Sequence, residues 1–210
     1  MALTRAEAAE AKRIQDEAAA KAQADAVRKK AVEEVAAEHA RFLARYLNSG
    51  FTRKPGMSPV AITIESEQGT VNPNLANALT QRFQTADVQF LSSFFKPEFV
   101  ADRFIANILS GDTGIFDKLE LTNSLDGVLV GRETVTYFTN AALDNTVTAG
   151  LRLEVMLLPV GSTRESRSWS LSANGAGLNQ SDARMQAEDR IIHQIASNTT
   201  MSLGNFSTNK

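Results

Sequence analysis

Hydrophobic positions recur with a period of two through three stretches of the second half of the chain, residues 127–139, 146–158 and 164–173. Leu151, Leu153, Val155 and Leu157 alternate with Arg152, Glu154 and Met156. Thr134, Thr136 and Phe138 alternate in the same way with Val135, Tyr137 and Thr139. Successive side chains of a strand point to opposite faces, so this pattern predicts strands with one face buried. Residues 140–145 form the tip between the first two, and Gly161-Ser162 makes the next turn, which together give an antiparallel meander. After Gly175-Ala176-Gly177 the period changes. Ala183, Ala187, Ile191 and Ile195 follow one another at helical spacing, which predicts a helix over 181–196. Ser181 is expected as its N-cap, and Asp182 suits the positive end of its dipole. The small side chains of Ala183 and Ala187 would let this helix lie close to the sheet, and Gly175 and Gly177 would ease the strand-to-helix bend.

Upstream, residues 60–66 alternate again and predict a strand. Asn72-Pro73 has the form of an N-cap followed by proline at the first helical position. That helix runs to about Gln84, with Leu75, Ala78, Leu79 and Phe83 on one face. Residues 87–92 read as a second short strand, with Val88 and Phe90 on one side. A further helix opens at Pro97, buries Phe99, Ile105, Ile108 and Leu109, and stops at Ser110-Gly111. Residues 115–121 read as a turn or a short helical piece. The expected fold class is therefore α+β: a mixed β-α-β-α-β-β-β-α sheet domain preceded by a long Ala-rich helix, with the sheet covered mainly on one face.

The amino-terminal part has its own texture. Alanine fills 16 of the first 48 positions, interleaved with Glu, Lys, Arg and Gln. These are strong helix formers. Thr4 and Glu7 have capping-box spacing, Glu17–Lys21 and Asp25–Lys29 are spaced as i,i+4 ion pairs, and Asn48-Ser49-Gly50 is a stop signal. The helix would be about 65 Å long at 1.5 Å per residue. Val32, Val35, His39, Phe42 and Tyr46 make an apolar stripe at steps of three and four. Before Val27 the only large aliphatics are Leu3 and Ile14, so the early turns read as a solvated extension or as one side of a helix–helix contact. The expected organisation is an extended helix over 1–50, a linker over 51–59 punctuated by Pro55-Gly56, an α/β domain over 60–197, and a polar, flexible tail over 198–210.

Composition narrows the function. A net charge of -2 over 210 residues argues against nucleic acid, which calls for a basic face. With no cysteine there is neither a disulfide framework nor a thiolate metal site, and two histidines, His39 and His193, do not suggest a His-rich one. No cofactor is expected. No apolar run approaches the roughly 20 residues that span a bilayer, so no integral membrane segment is expected. No leader is visible at Met1, which leaves a cytoplasmic protein or one whose leader was removed. Ser124 and Asp126 lack a nucleophile elbow or oxyanion motif around them. Gly127, Gly131, Gly175 and Gly177 do not form a phosphate loop. The carboxylate pairs Glu65/Glu67, Asp112/Asp117 and Glu188/Asp189 read as solvated surface. His193 reads as a polar-face residue and His39 as part of the packed stripe. No catalytic group is assigned, and a hydrolase with an unrecognised site is the remaining enzymatic reading. Two groups are candidates for partner binding. Phe94, Phe95 and Phe99 crowd one strand-to-helix connection and either insert into the core or form an aromatic patch. Val32, Val35 and Phe42 line the helix stripe.

The stretch Leu125-Asp126-Gly127-Val128-Leu129-Val130-Gly131 resembles a strand of the periplasmic fold shared by LpoB, CsgG and the amino-terminal domain of TolB. Trp169 to Gly177, followed by Ser181, Ala183 and Ala187, is similar to the ending of that fold. The likeness covers about 140 residues, Val60 to Ile195. It implies the α+β fold and a non-enzymatic envelope protein, periplasmic or outer-membrane-associated, that binds a protein partner or assembles into a multimer. Members of the family activate cell-wall synthases, form the curli secretion channel or build flagellar basal rings. The lipid-carrying cysteine of some members has no counterpart here, nor do the long barrel hairpins of the curli channel. The Ala/Lys/Glu texture of the first helix looks like the spacer of TolA-type proteins. A homo-oligomeric ring or sheath subunit, with that helix as the assembly element, is the alternative.

Overall fold

Strand β1 (Ser58–Glu65) is buried at every one of its eight positions. Such a strand must be covered on both faces and paired along both edges, and the structure, a computed structural model, shows how. It describes residues 5–140, 146–161 and 165–203. The long helix α1 (Arg5–Tyr46) comes first. After β1 the order is α2 (Pro73–Phe83), β2 (Val88–Leu91), α3 (Pro97–Ala101), α4 (Phe104–Leu109), α5 (Gly114–Lys118), a 3₁₀ turn (Leu121–Asn123), β3 (Gly127–Asn140), β4 (Thr146–Pro159), β5 (Arg167–Gly177) and α6 (Gln180–Ser197). The five strands form one mixed sheet in the order β2-β1-β3-β4-β5. β1 runs parallel to both β2 and β3, and β3, β4 and β5 form the antiparallel meander. The expected α+β class and element order stand.

The face covered by α2 and α6 carries the main core. Val60, Ile62 and Ile64 of β1, Leu129 of β3, the alternating Leu151, Leu153, Val155 and Leu157 of β4, and Leu171 of β5 meet Leu75 and Leu79 of α2 and Ile191 and Ile195 of α6. Ala61, Val128 and Val130 point to the opposite face, which α4 covers over β3 with Ile105 and Ile108 buried. The sheet is thus covered on both faces along β1 and the first half of β3, rather than mainly on one. Towards β5 the outer face is bare, and Thr134, Thr136, Phe138, Arg152, Ser170 and Ser172 are exposed along it.

Several local expectations shift. The helix from Pro97 is broken into α3 and α4 at Arg103, whose φ of 63° lies in the left-handed region. The N-cap of α6 is Asn179 rather than Ser181: its side-chain oxygen accepts from the Asp182 amide at 2.9 Å. Asn72 caps α2 as its sequence implies, accepting from the amides of Asn74 (3.1 Å) and Leu75 (3.2 Å). The tail is not free from residue 198. Met201 and Leu203 are buried in the core, and Arg167 donates to the Ser202 carbonyl at 3.1 Å. In α1, Glu17 turns back to Arg13 (3.8 Å) and Lys29 reaches forward to Glu33 (3.9 Å), instead of the i,i+4 partners expected for them. The capping residue Thr4, the hairpin tip at 141–145, Ser162, the expected strand start at Arg164 and the chain from 204 lie outside the described residues.

Gly175 and Gly177 are not bend residues. Both lie in extended β5, directly under α6. A Cβ on Gly175 would run into the carbonyl oxygen of Ala183 and the amide nitrogen of Ala187, and one on Gly177 would stand 2.7 Å from the Ala183 nitrogen. Helix backbone and strand backbone are therefore in direct contact, and only glycine in the strand with alanine on the helix permits it. The outer edge of β5 is covered by the same helix. Gln194 donates to the Ser172 carbonyl at 3.0 Å and Arg190 donates to that of Asn174, which masks backbone groups that would otherwise invite another strand.

Two substitutions separate this contact from ordinary core packing. Ile191→Ala removes a fully buried side chain and should cost about 2–5 kcal/mol in denaturant unfolding. Gly175→Ala adds one methyl and should cost about 3 kcal/mol, because the atoms in its way are backbone and cannot rotate aside. Were Gly175→Ala neutral, α6 would not be docked this closely.

Candidate functional site

Period two along β3 places Leu129, Gly131, Glu133 and Val135 on the side of the main core. A glutamate in that row is exceptional, since a carboxylate is buried only when it is paired. The Glu133 side chain is fully shielded from solvent. Arg184 of α6 grips it with both arms of its guanidinium, Nε to Oε1 at 3.0 Å and Nη2 to Oε2 at 3.1 Å. Asn72 Nδ2 adds a third donor to Oε2 at 2.9 Å. Asn72 also caps α2, and its amide bonds the Ile64 carbonyl at 2.7 Å. One carboxylate thus ties β3 to α6 and to the start of α2. Burial alone would lower the Arg184 pKa, but the hydrogen bonds and charge of Glu133 outweigh it and hold the guanidinium above its ordinary value. The carboxylate is shielded from solvent and accepts three hydrogen bonds from two neighbouring elements. This arrangement is a structural clip between β3, α6 and the start of α2.

Next along the same row is Tyr137, whose hydroxyl donates to Glu67 at 3.4 Å. Burial, then the negative charge of Glu67, raise the phenol pKa above its usual value.

The opposite face holds an open groove of about 750 Å³ at the carboxyl end of β1. Its floor is the ion pair between Glu65 and Arg132, register neighbours on β1 and β3, with Nε–Oε2 at 2.9 Å. Its rim is the turn 66–69, braced by Ser66 Oγ and Thr70 Oγ1 at 2.9 Å. Its far wall is the break between α3 and α4, where Val100, Arg103 and Ala106 stand. Glu65 is buried and ion-paired, which corrects its expected place on the solvated surface, whereas Glu67 is exposed as expected.

The residues singled out in the sequence scatter over the structure. Phe94, Phe95 and Phe99 are 6%, 7% and 0% exposed, so they form no surface patch. They build an aromatic cluster instead: Phe95 stacks on Phe99 at 4.0 Å, Phe94 meets Phe95 edge-on at 5.2 Å, and Tyr46 meets Phe104 edge-on at 5.2 Å. Tyr46, the last member of the α1 stripe, is buried and donates to Asp102 at 2.7 Å. Val32 and Val35, by contrast, are 63% and 66% exposed. Phe42 is half-buried and stacks with His39 at 6.5 Å. His193 is exposed. Asp126 pairs with Arg53 at 3.1 Å. Asp112 bonds the Gly114 amide at 3.0 Å, and Glu188 accepts from Asn74 at 3.2 Å. A Cβ on Gly131 would lie 2.7 Å from Ile64 Cδ1, so that glycine serves strand packing. Among the described residues no cluster of three or more metal-ligating side chains occurs, and no helix is long and apolar enough to cross a membrane.

No family model matches the chain, and no curated protein matches it. Among solved structures it is similar to a hypothetical protein from Chlamydia trachomatis, at 11% identity and a TM-score of 0.38, over 66% of this chain and 93% of that one. It is similar to lipoprotein GNA1162 from Neisseria meningitidis, at 17% identity and a TM-score of 0.33, over 66% of this chain and 98% of that one. A third likeness is to protein XCC0632 of Xanthomonas campestris, of the DUF330 family, at 10% identity and a TM-score of 0.29, over 71% and 88%. At such values no property passes from those proteins to this one.

Glu133, Arg184 and the Glu65–Arg132 pair were not singled out from sequence. A signal for Glu133 was present: it occupies the inward register between Gly131 and Val135. Glu133→Gln should destabilise the domain by about 3 kcal/mol, since Arg184 keeps its charge without a counter-ion. Adding Arg184→Met to it should restore part of that loss in a double-mutant cycle, and strict additivity would show that the two side chains are not coupled. The Tyr137 phenol should titrate above the ordinary value of about 10, and Glu67→Gln should bring it down in a phenolate absorbance titration. Because the folded pKa is the higher one, the stability that Tyr137 contributes is complete below about pH 10 and is lost as pH rises through the folded pKa.

Proposed function

We propose that this chain is a non-enzymatic cell-envelope protein that works by helix-mediated assembly, with α1 as the arm through which it joins a protein partner. One observation carries the reading. α1 is a compact unit of its own up to Arg45, and its large aliphatic side chains Ile14, Val27, Val32 and Val35 are 58–66% exposed. An isolated helix gains little from propensity alone, and most helical stability comes from burying an apolar face. Val32, Val35, His39 and Phe42 share one face of the later turns of this 42-residue helix, which suits that part to pairing with another helix. The sheet domain meets its own needs: its core is closed, α6 side chains bond carbonyls of β5, and its buried carboxylates Glu65 and Glu133 are each paired with an arginine.

The resemblance to LpoB, CsgG and the amino-terminal domain of TolB supports the envelope assignment. Within that resemblance, Gly175, Gly177, Ala183 and Ala187 are the residues that dock α6. Placement outside the cytoplasm and the absence of catalysis belong to the same proposal. Assembly with copies of itself, as a ring or sheath subunit, is the second reading. The seam Val32, Val35, His39, Phe42 keeps alternating steps of three and four, the spacing that like helices interdigitate with.

Replacing Val32 and Val35 together by Lys tests both readings. In sedimentation velocity on the full chain, the parent should form a concentration-dependent oligomer or a complex with its envelope partner. The double variant should lose either one while its unfolding midpoint stays within about 0.5 kcal/mol of the parent, as for surface changes. Unaltered assembly by the variant would remove α1 from the interface.

A further inference from the structure

We propose that the groove at the carboxyl end of β1 is a binding site for the oxyanion of a small polar molecule, with Arg103 as its anchor. The site is independent of α1 and of the assembly reading.

Topology comes first. β1 and β2 are neighbouring parallel strands, and the helices that follow them leave to opposite faces: α2 joins the main core, and the α3–α4 segment covers the other side. In open α/β sheets ligands bind beyond the carboxyl ends of the strands; here the groove opens where β1 ends beside Arg132 and Thr134 of β3, and no β2 residue lines it. β2 ends at Leu91, level with Ala61, so β1 projects four residues beyond it to Glu65. The groove lies at that projecting end. Its size falls within the range of small-molecule sites, roughly 300–1,000 Å³.

The charges decide the ligand class. Glu65 and Arg132 neutralise each other across the floor, and Glu133, which also lines the groove, is held by Arg184. Glu67 is engaged by the Tyr137 hydroxyl. Arg103 is exposed on the groove wall; its backbone bonds Val100 and Asn107, while its guanidinium makes no hydrogen bond or ion pair to another described residue. It also sits in the left-handed region, which costs a side-chain-bearing residue energy that glycine would avoid. The break between α3 and α4 needs only the conformation, and glycine would supply it without strain. Arginine there sets a planar, two-armed cation on the groove wall, a geometry matched to the two oxygens of a carboxylate or phosphate. Glu67 at the rim favours a ligand that also carries a donor or a positive group, and it disfavours a multiply charged anion.

Arg103→Gly makes the test, because it removes the guanidinium and relieves the backbone together. The full-length parent and the variant are titrated at constant ionic strength with inorganic phosphate, with acetate and with glutamate, against chloride. The readouts are the amide resonances of Gly69, Arg103 and Ala106 and the thermal midpoint. Saturable shifts with a carboxylate, a phosphate or both are expected in the parent, at least tenfold weaker in Arg103→Gly. The variant should unfold at or above the parent temperature. A response to phosphate alone would assign a phosphorylated ligand, and a response to glutamate stronger than to acetate would assign a zwitterionic one. No saturable shift in the parent, or an equal response in the variant, would overturn the proposal. So would a lowered midpoint in the variant, since it would give Arg103 a structural role instead.

Discussion

Everything on the main face of the sheet depends on how closely α6 lies against β5. The contact is backbone to backbone, with Gly175 facing the Ala183 carbonyl and the Ala187 amide. A helix carried higher by even one methyl group would not bring Ile191 and Ile195 down among Leu151, Leu153 and Leu171. It would also move Arg184 from Glu133 and Gln194 from the β5 edge. Hydrophobic burial supplies the driving force, but the small residues set the distance at which that burial is collected.

The clip at Glu133 adds specificity more than energy. Burying an ion pair roughly offsets its own attraction by the water it gives up. What it does enforce is register. A slip of β3 by one residue would turn Glu133 to the α4 face and leave the half-buried Arg184 without its counter-ion. Asn72 extends the constraint to α2, so one carboxylate fixes three elements relative to one another. A second pair, Glu65 with Arg132, pins β1 against β3 on the other face. The two pairs lie on adjacent residues of β3 and face opposite ways, which sets both sides of the sheet at the same level.

Periodic elements were legible in the sequence because their signal is redundant. β4 shows four alternating aliphatics and α6 four apolar residues at one spacing, and both appear where expected. Asn72-Pro73 announced a cap that the structure contains. Legibility failed where a single tertiary contact decided the outcome. Nothing local marks Arg103 for the left-handed region, so the helix from Pro97 reads as continuous. The three phenylalanines read as core more readily than as patch, but only the fold of α3 and α4 decides whether they are covered. Met201 and Leu203 sit in a polar run too short for any period, yet they find a gap beside β5 and α6. Gly175 and Gly177 were noticed for the wrong reason: glycine marks a close approach as readily as a turn.

The sheet domain is closed by α6, and α1, under the assembly proposal, contacts another molecule. Hydrogen exchange measured by mass spectrometry, on the full chain at a dilute and a high concentration, bears on both halves at once. Peptides of β3, β4 and α6 should exchange only through global unfolding, with equal protection at either concentration. If α1 is an assembly arm, peptides from 10–35 should exchange rapidly when dilute and become protected as concentration rises. Full protection of α1 at the lowest concentration without a partner, or loss of α6 protection before that of β4, would contradict this picture.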